Sequence, residues 1–422
     1  MSLKVGIIGA GIGGLCAAIA LRRTGAHVEI YEKSHFQNEV GAAITITPNG
    51  MRALDRWGFD TKDAGAVEAK QLRMCDDQTL RDRFVESFRN VEKDYGARFM
   101  FFHRVDLHTA LRKMAVSENG QSGVPVAIRN GKSVTSVDCY AGRFTLEDGE
   151  EVEKDLIVIA DGVRTRFISN ITGQDQPLEH VGFSFYRCLI PVNEINKDAE
   201  LKAVWDRQDP GFWVPFDLAT GFFLVSYPCR DKSMMNIALK HKTRDKDQDA
   251  TSWNTETSLA DIVDLVKGRN PLLERLLQKT SSMSVHKVER RDVLDQYTKG
   301  RAVIIGDAAH PIQPTHAQGA VMAIEEATAL EVLFSGVTAA SQVPKRMSMY
   351  NALMKKRLNT AHLLSDATPG VLDDKYREQA KALWEGDIYP HTAMNFSKPI
   401  RDFFYLYDVH TEAKAFLAEH AI

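Results

Sequence analysis

Gly9, Gly11 and Gly14 follow the apolar run Val5-Gly6-Ile7-Ile8 at the G-x-G-x-x-G spacing. Residues of this kind at this spacing suit a pyrophosphate. The first glycine permits a tight turn, the second carries no Cβ to hold the backbone away, and the third lets the next helix pack closely. Phosphates placed there meet free N–H groups and the positive end of the helix dipole. Glu32 follows at about the distance where an acid hydrogen-bonds a ribose diol, which suits FAD or NAD better than NADP. The structural alternative is a phosphate-free turn with a solvated glutamate.

Two further constellations close apolar runs, where open α/β sheets place ligands. Asp161-Gly162 ends the run Leu156-Ile157-Val158-Ile159-Ala160, and Gly306-Asp307, leading to His310, ends Ala302-Val303-Ile304-Ile305. Either aspartate alone reads equally well as a helix N-cap. Glu325 and Glu326 lie about 100° apart on one helix, so they do not form a catalytic carboxylate pair. One is expected to cap or pair and the other to be solvated. No His, Cys, Asp or Glu spacing fits a metal site.

The elements that must carry these residues follow from periodicity. Leu15 to Arg23 reads as a helix ended by Gly25, and Val28 to Tyr31 as a second strand. Thr47-Pro48-Asn49-Gly50 precedes an amphipathic helix carrying Met51, Leu54 and Trp57. Residues 70–102 read as short strands, 103–114 as a helix, and 124–160 as strands with a hairpin at Asp148-Gly149. Residues 180–240, rich in aromatic and β-branched side chains, suggest a mostly antiparallel sheet. A polar loop is expected over 245–257 and a helix from Leu259 to Leu277. From Gly319 onward the chain reads as helical.

These elements divide into a discontinuous nucleotide-binding part, 1–175 and 285–365, with a short β insertion near 70–100. Residues 176–284 form a substrate domain, and 366–422 a C-terminal helical segment.

A chain of 422 residues is too long for a single core. Apolar content of 44%, charged content of 26% and a formal net charge of −3 give no reason to expect nucleic acid or an anionic membrane as partner. The five cysteines form no C-x-x-C, which points to a reducing compartment. No signal peptide is expected, since the first strand starts almost at the first Met, and no window is long and apolar enough to span a bilayer. A cytoplasmic monomer or homodimer is expected.

With three motifs in this order, the sequence resembles the single-component, FAD-dependent aromatic monooxygenases of the para-hydroxybenzoate hydroxylase superfamily. Within them it is most similar to the salicylate hydroxylase-like proteins. Thr47-Pro48-Asn49, Arg104-x-x-Leu107, Tyr227-Pro228 and Tyr407-Asp408 are softer matches. The resemblance implies an α/β fold: a Rossmann-type, GR2-like FAD-binding domain, an inserted, mostly antiparallel β-sheet substrate domain, and C-terminal helices. It implies non-covalent FAD held by Gly9, Gly11, Gly14, Glu32, Lys33, Ala43, Arg104, Asp161, Asp307, Gly319 and Ala320. Asp307 would accept a hydrogen bond from the ribityl chain, and Arg104 would contact the pyrophosphate or ribityl region. Asp161-Gly162 would serve both FAD and the reduced nicotinamide, NADH or NADPH, for which there is no second glycine fingerprint. Arg104 reads alternatively as a surface salt-bridge partner, and His310 as a structural histidine beside the flavin loop.

The implied reaction is reduction of FAD by NAD(P)H, then reaction with O₂ to a flavin C4a-hydroperoxide that hydroxylates a phenolic or other electron-rich ring. Such a site must exclude water and help remove a phenolic proton. Three catalytic candidates follow. Arg187 would pair with a phenolate or carboxylate, or else form an inter-strand ion pair. Tyr227 would hydrogen-bond a substrate oxygen or pack in the core. His316 stands where the para-hydroxybenzoate branch has glycine, and is either a base in the pocket or a loop histidine facing solvent. Val321 replaces an asparagine common in that branch. Other readings are a flavin monooxygenase or epoxidase of an alkaloid or polyketide, an NAD-dependent dehydrogenase, and an FAD-binding redox sensor.

Overall fold

The computed structural model describes residues 2–35, 42–118, 123–205, 209–245, 255, 257–367, 374–384 and 386–420. Most of the polar stretch expected as a loop over 245–257 lies outside them. Strands are numbered along the chain.

The first sheet is built from β1 (Lys4–Ile8), β2 (His27–Glu32), β8 (Ala127–Asn130), β12 (Leu156–Ile159), β18 (Thr298–Lys299) and β19 (Ala302–Ile304), in the order β18-β19-β12-β1-β2-β8. All neighbours are parallel except the β18–β19 edge. The apolar runs predict this, because a parallel sheet is covered on both faces and has no solvated side to alternate with. Helix Ile12–Arg23 packs on β1 and β2 and lies along helix Gly319–Phe334. A small antiparallel sheet of β9 (Val134–Asp138), β10 (Arg143–Leu146) and β11 (Glu151–Glu153) sets Phe144 edge-on to Tyr31 of β2.

A second large sheet has the order β17-β13-β16-β15-β14-β5-β6. Its strands are β5 (Gln71–Asp76), β6 (Asp82–Ser87), β13 (Glu179–Pro191), β14 (Gly211–Asp217), β15 (Phe222–Cys229), β16 (Met234–Lys242) and β17 (Ser282–Arg290). All pairs are antiparallel except β14–β5. The strands near 70–100, expected as an insertion in the nucleotide-binding part, therefore pair into the sheet of the 176–284 segment. Strand β17 also continues past residue 284. Short strands do not reveal their sheet from sequence, because the partner is set by tertiary pairing.

Side-chain alternation on this sheet separates two cores. Tyr186, Cys188, Ile190, Leu224, Ile237, Leu239 and Val285 face the helices Leu259–Asp264 and Pro271–Leu277. The intervening residues Leu189, Phe212, Val214 and Tyr227 join the core of the first sheet. Arg187 belongs to this second face. The helix expected over Leu259 to Leu277 is two helices, because Asn270 caps the second through Leu272 N–H and Pro271 cannot continue the first.

A third, antiparallel sheet of β3 (Ala43–Ile46), β4 (Val67–Glu68) and β7 (Met100–His103) packs on the second large sheet through β7 and β15. Asn236 of β16 accepts a hydrogen bond from Ala43 N–H at 3.0 Å, tying the substrate-side sheet to β3. The C-terminal helices Asp374–Leu383, Lys398–Tyr405 and Val409–His420 complete the chain. No helix among the described residues is long and apolar enough to cross a membrane.

Candidate functional site

The glycine turn is built by close backbone approach. Gly9 has φ +99°, and a Cβ there would lie 2.5 Å from Ala160 O. A Cβ on Gly14 would lie 2.0 Å from Gly9 O, so the helix reaches the turn only because Gly14 has none. Gly11 is different. Its φ of −68° and ψ of −178° suit any residue, and nothing lies within 4 Å of an added Cβ. It is the N-cap of helix Ile12–Arg23, and no capping side chain takes up the first amides of that helix. Glu32 is buried and accepts from Ala10 N–H and Ser34 N–H, both at 2.7 Å. Lys33 is exposed. Buried His108, which carried no sequence signal, contacts Ala10 O through Nε2 at 2.7 Å.

Neither aspartate caps a helix. The nearest helix after Asp161 is capped at Phe167, and Asp307 lies inside the 3₁₀ turn Gly306–Ala308. Asp161 Oδ1 is buried without a hydrogen-bond partner. Burial pushes this carboxyl up to about 6, against a hydrogen bond from Thr165, its own backbone N–H, and the charges of Lys33 and Arg291. Burial also raises Asp307, opposed by His310 and Arg104. Arg291 joins the two segments, donating to Ala308 O at 3.0 Å, Val163 O at 3.4 Å and Gln176 O at 2.9 Å. Gly319 and Ala320 start a helix with no side-chain cap and are partly exposed. Ala43, by contrast, has its amide committed to Asn236.

On the substrate side, Arg187 lies within electrostatic reach of both Tyr227 and Arg104. Burial holds Arg187 below its usual value, with Tyr227 opposing the shift and Arg104 adding to it. Burial pushes Tyr227 up to about 12, against the charge of Arg187 and a hydrogen bond with Thr45. Its ring stacks tilted on Phe101 at 4.7 Å and meets Phe212 edge-on at 5.3 Å. His286, unremarked in the sequence, is held neutral. Burial, then Arg187 and Arg164, push it down to about 3. Arg104 forms no ion pair among the described residues, so the salt-bridge alternative is not seen.

His316 is neither exposed nor open to a ligand. Its Nδ1 meets Asn395 Oδ1 at 2.8 Å, and its Nε2 accepts from Tyr389 OH at 3.0 Å. Asn395 Nδ2 donates to Thr315 O, which orients Oδ1 toward Nδ1 and places the ring proton there. Burial pushes His316 down to about 4 despite its hydrogen bonds to Asn395 and the Leu364 backbone.

The expectation that one of Glu325 and Glu326 is solvated is wrong, since both are fully buried. Glu325 pairs with Arg357 at 3.0 and 3.1 Å and accepts from Asn49 at 2.7 Å. Asn49 is set by Thr47 and Gln318, so the Thr47-Pro48-Asn49 motif works as part of this network. Glu326 accepts from Gly306 N–H, His310 and Tyr350.

An open glycine N-cap, an orphaned buried carboxylate oxygen and an uncapped second helix start form an arrangement that can hold a dinucleotide. The sequence matches the family described as FAD binding domain over residues 2–363. The chain belongs to this FAD-binding family. It is 33% identical to the FAD-dependent monooxygenase cfoG of Aspergillus candidus, over 86% of this chain and 85% of that one. It is 30% identical to hispidin-3-hydroxylase of Neonothopanus nambi, over 99% and 96%. The fold matches that of CtdE, solved in complex with FAD and substrate 4, with a TM-score of 0.79, 20% identity, and 99% and 98% coverage.

This FAD-dependent monooxygenase therefore builds its cofactor side from backbone geometry readable in the sequence. Arg291, Glu326 and Asn49 were missed as supports. The signal that existed was polar side chains inside otherwise apolar helical or strand patterns, which must be partnered when buried.

Proposed function

We propose that this monooxygenase hydroxylates a phenolic or other electron-rich aromatic ring that binds as an anion against Arg187. The observation carrying this reading is the grouping of Arg187, Arg104 and Tyr227 beside a neutral His286, at the face of the substrate-side sheet turned toward the cofactor half. Two guanidinium charges favour a phenolate or carboxylate. A phenolate ring is also the better nucleophile toward an electrophilic oxygen. Tyr227 keeps its proton at neutral pH and can donate it in a hydrogen bond to a substrate oxygen.

Gly9, Gly11, Gly14, Glu32, Asp161, Asp307, Gly319 and Ala320 would hold the FAD, with Arg104 at the junction of the two halves. Bound FAD supplies the redox chemistry that activates O₂ at the expense of NADH or NADPH. The protein's own part is to orient the ring with Arg187 and Tyr227 and to exclude water with the aromatic wall of Phe99, Phe101, Phe212 and Phe396. A cytoplasmic monomer or homodimer suits this chemistry.

The test is a panel of phenols, aromatic acids and multi-ring phenols assayed for stimulated NADH and NADPH oxidation, with product identification. Stimulation and ring oxygenation by an anionic aromatic support the proposal. A flavin-loaded protein that no aromatic stimulates overturns it in favour of a redox sensor.

A further inference from the structure

Glu326 reaches out from the middle of helix Gly319–Phe334 and is completely buried. Its Oε2 accepts from Gly306 N–H at 2.8 Å and contacts His310 Nε2 at 2.9 Å, while Oε1 accepts from Tyr350 OH at 3.1 Å. Donors on both oxygens suit a carboxylate. A buried carboxylate needs a countercharge, and its ion-pair partner among the described residues is His310.

Gly306 and His310 are the two ends of the turn that carries Asp307. Gly306 O accepts from Ala309 and His310 N–H at 2.8 and 2.9 Å, and Gly306 itself has φ +60°. One carboxylate thus grips both ends of the segment Gly306–His310, which carries Asp307. Asp307 forms no hydrogen bond of its own among the described residues, so its position depends on how the turn is held.

We propose that Glu326 is a positioning residue of the cofactor site: with His310 as its charged partner, it locks the turn that presents Asp307 to FAD. This rests on the reading that Asp307 meets the cofactor. Glu326 at Nε2 favours a charged imidazole, although His310 Nδ1 is buried with no hydrogen-bond partner among the described residues. Burial lowers its pKa, but the charge and hydrogen bond of Glu326 and the charge of Asp307 outweigh it and hold it above its usual value. Tyr297, with its ring 6.3 Å away, and Tyr350 are raised well above neutrality by burial and stay uncharged. His362, from helix Val343–Asp366, is pushed down to about 3 by burial and then by His310, Arg290 and Arg291, so it is neutral too.

The experiment measures FAD affinity of the apoprotein by flavin fluorescence for wild type, E326Q, E326D and D307N. It also reads the His310 side-chain ¹⁵N shifts in the wild-type holoprotein. We expect imidazolium shifts at about pH 7.5, where an ordinary histidine is neutral. E326Q should bind FAD about tenfold to a hundredfold more weakly, the range for losing hydrogen bonds to a charged group, and E326D should recover part of it. Neutral His310 shifts in wild type overturn the proposal, and this measurement decides alone if E326Q fails to fold. Wild-type affinity in E326Q with weakened binding in D307N overturns it while leaving the Asp307 contact standing. Wild-type affinity in D307N overturns both.

Discussion

The cofactor half and the substrate half are built on different principles. Around Gly9, Gly11 and Gly14 the decisive contacts are between backbone atoms, within the turn itself and with Ala160 just past the neighbouring strand. Around Arg187 and Tyr227, and separately around His316, the decisive contacts are between side chains brought from five separate segments, including the C-terminal Tyr389 and Asn395. The first kind of site is written locally. The second exists only after the sheets have paired and the last helices have docked.

That contrast breaks down if damage in one half spreads to the other. The largest effect is expected for Gly14→Ala, whose added Cβ would lie 2.0 Å from Gly9 O. Backbone cannot yield there as a flexible side chain can. We expect a loss of about 3 kcal/mol in stability together with loss of flavin, seen in thermal melts and absorbance. Arg187→Met should affect the other half alone. Flavin content and melting temperature should stay at wild-type values, while the half-saturating concentration of an anionic aromatic rises about tenfold to a hundredfold. Loss of flavin in Arg187→Met would join two sites that the account separates.

The halves also differ in pH response. Asp161 is raised to about 6 in the folded apoprotein, so between the usual aspartate value near ~4 and pH 6 the folded state holds a proton that the unfolded state has released. Apoprotein stability from this group therefore falls as pH rises through that window. A cofactor hydroxyl donating to the orphaned Oδ1 favours the ionised form. FAD binding should then weaken below pH 6 by up to about tenfold per unit and level off above it. A flat profile between pH 5 and 7, in a titration by flavin fluorescence, would show that Asp161 does not meet the cofactor.

How far the sequence carried this picture follows the same division. The glycine turn, the strand ends at Asp161 and Asp307, and the β-rich segment were legible, because spacing and apolar runs encode local geometry. The burial of both Glu325 and Glu326 was not. Their partners Arg357, Asn49, His310 and Tyr350 lie on other elements, and helical periodicity only says that two adjacent residues face different ways. The pairing of β5 with β14 was likewise beyond short strands that give no hint of their neighbour. The break before Pro271 was missed although its signal was present, since proline after asparagine is a helix start.

The smallest effect is expected at His316. Both ring nitrogens are already engaged and its pKa lies near 4. His316→Gln should cost about 1–2 kcal/mol in stability and leave the pH dependence of turnover near neutrality unchanged. A pH–rate limb that disappears in His316→Gln would restore it as the base.

The central claim is that the open space beside Gly11 belongs to a dinucleotide. Gly11 needs no glycine for its own backbone, and a larger side chain would meet no protein atom within 4 Å of its Cβ. FAD titration of apo Gly11→Val against apo wild type tests this directly. The account predicts a variant that folds and melts like wild type but has lost FAD affinity about a hundredfold or more. A folded Gly11→Val protein that binds FAD as wild type does would contradict it.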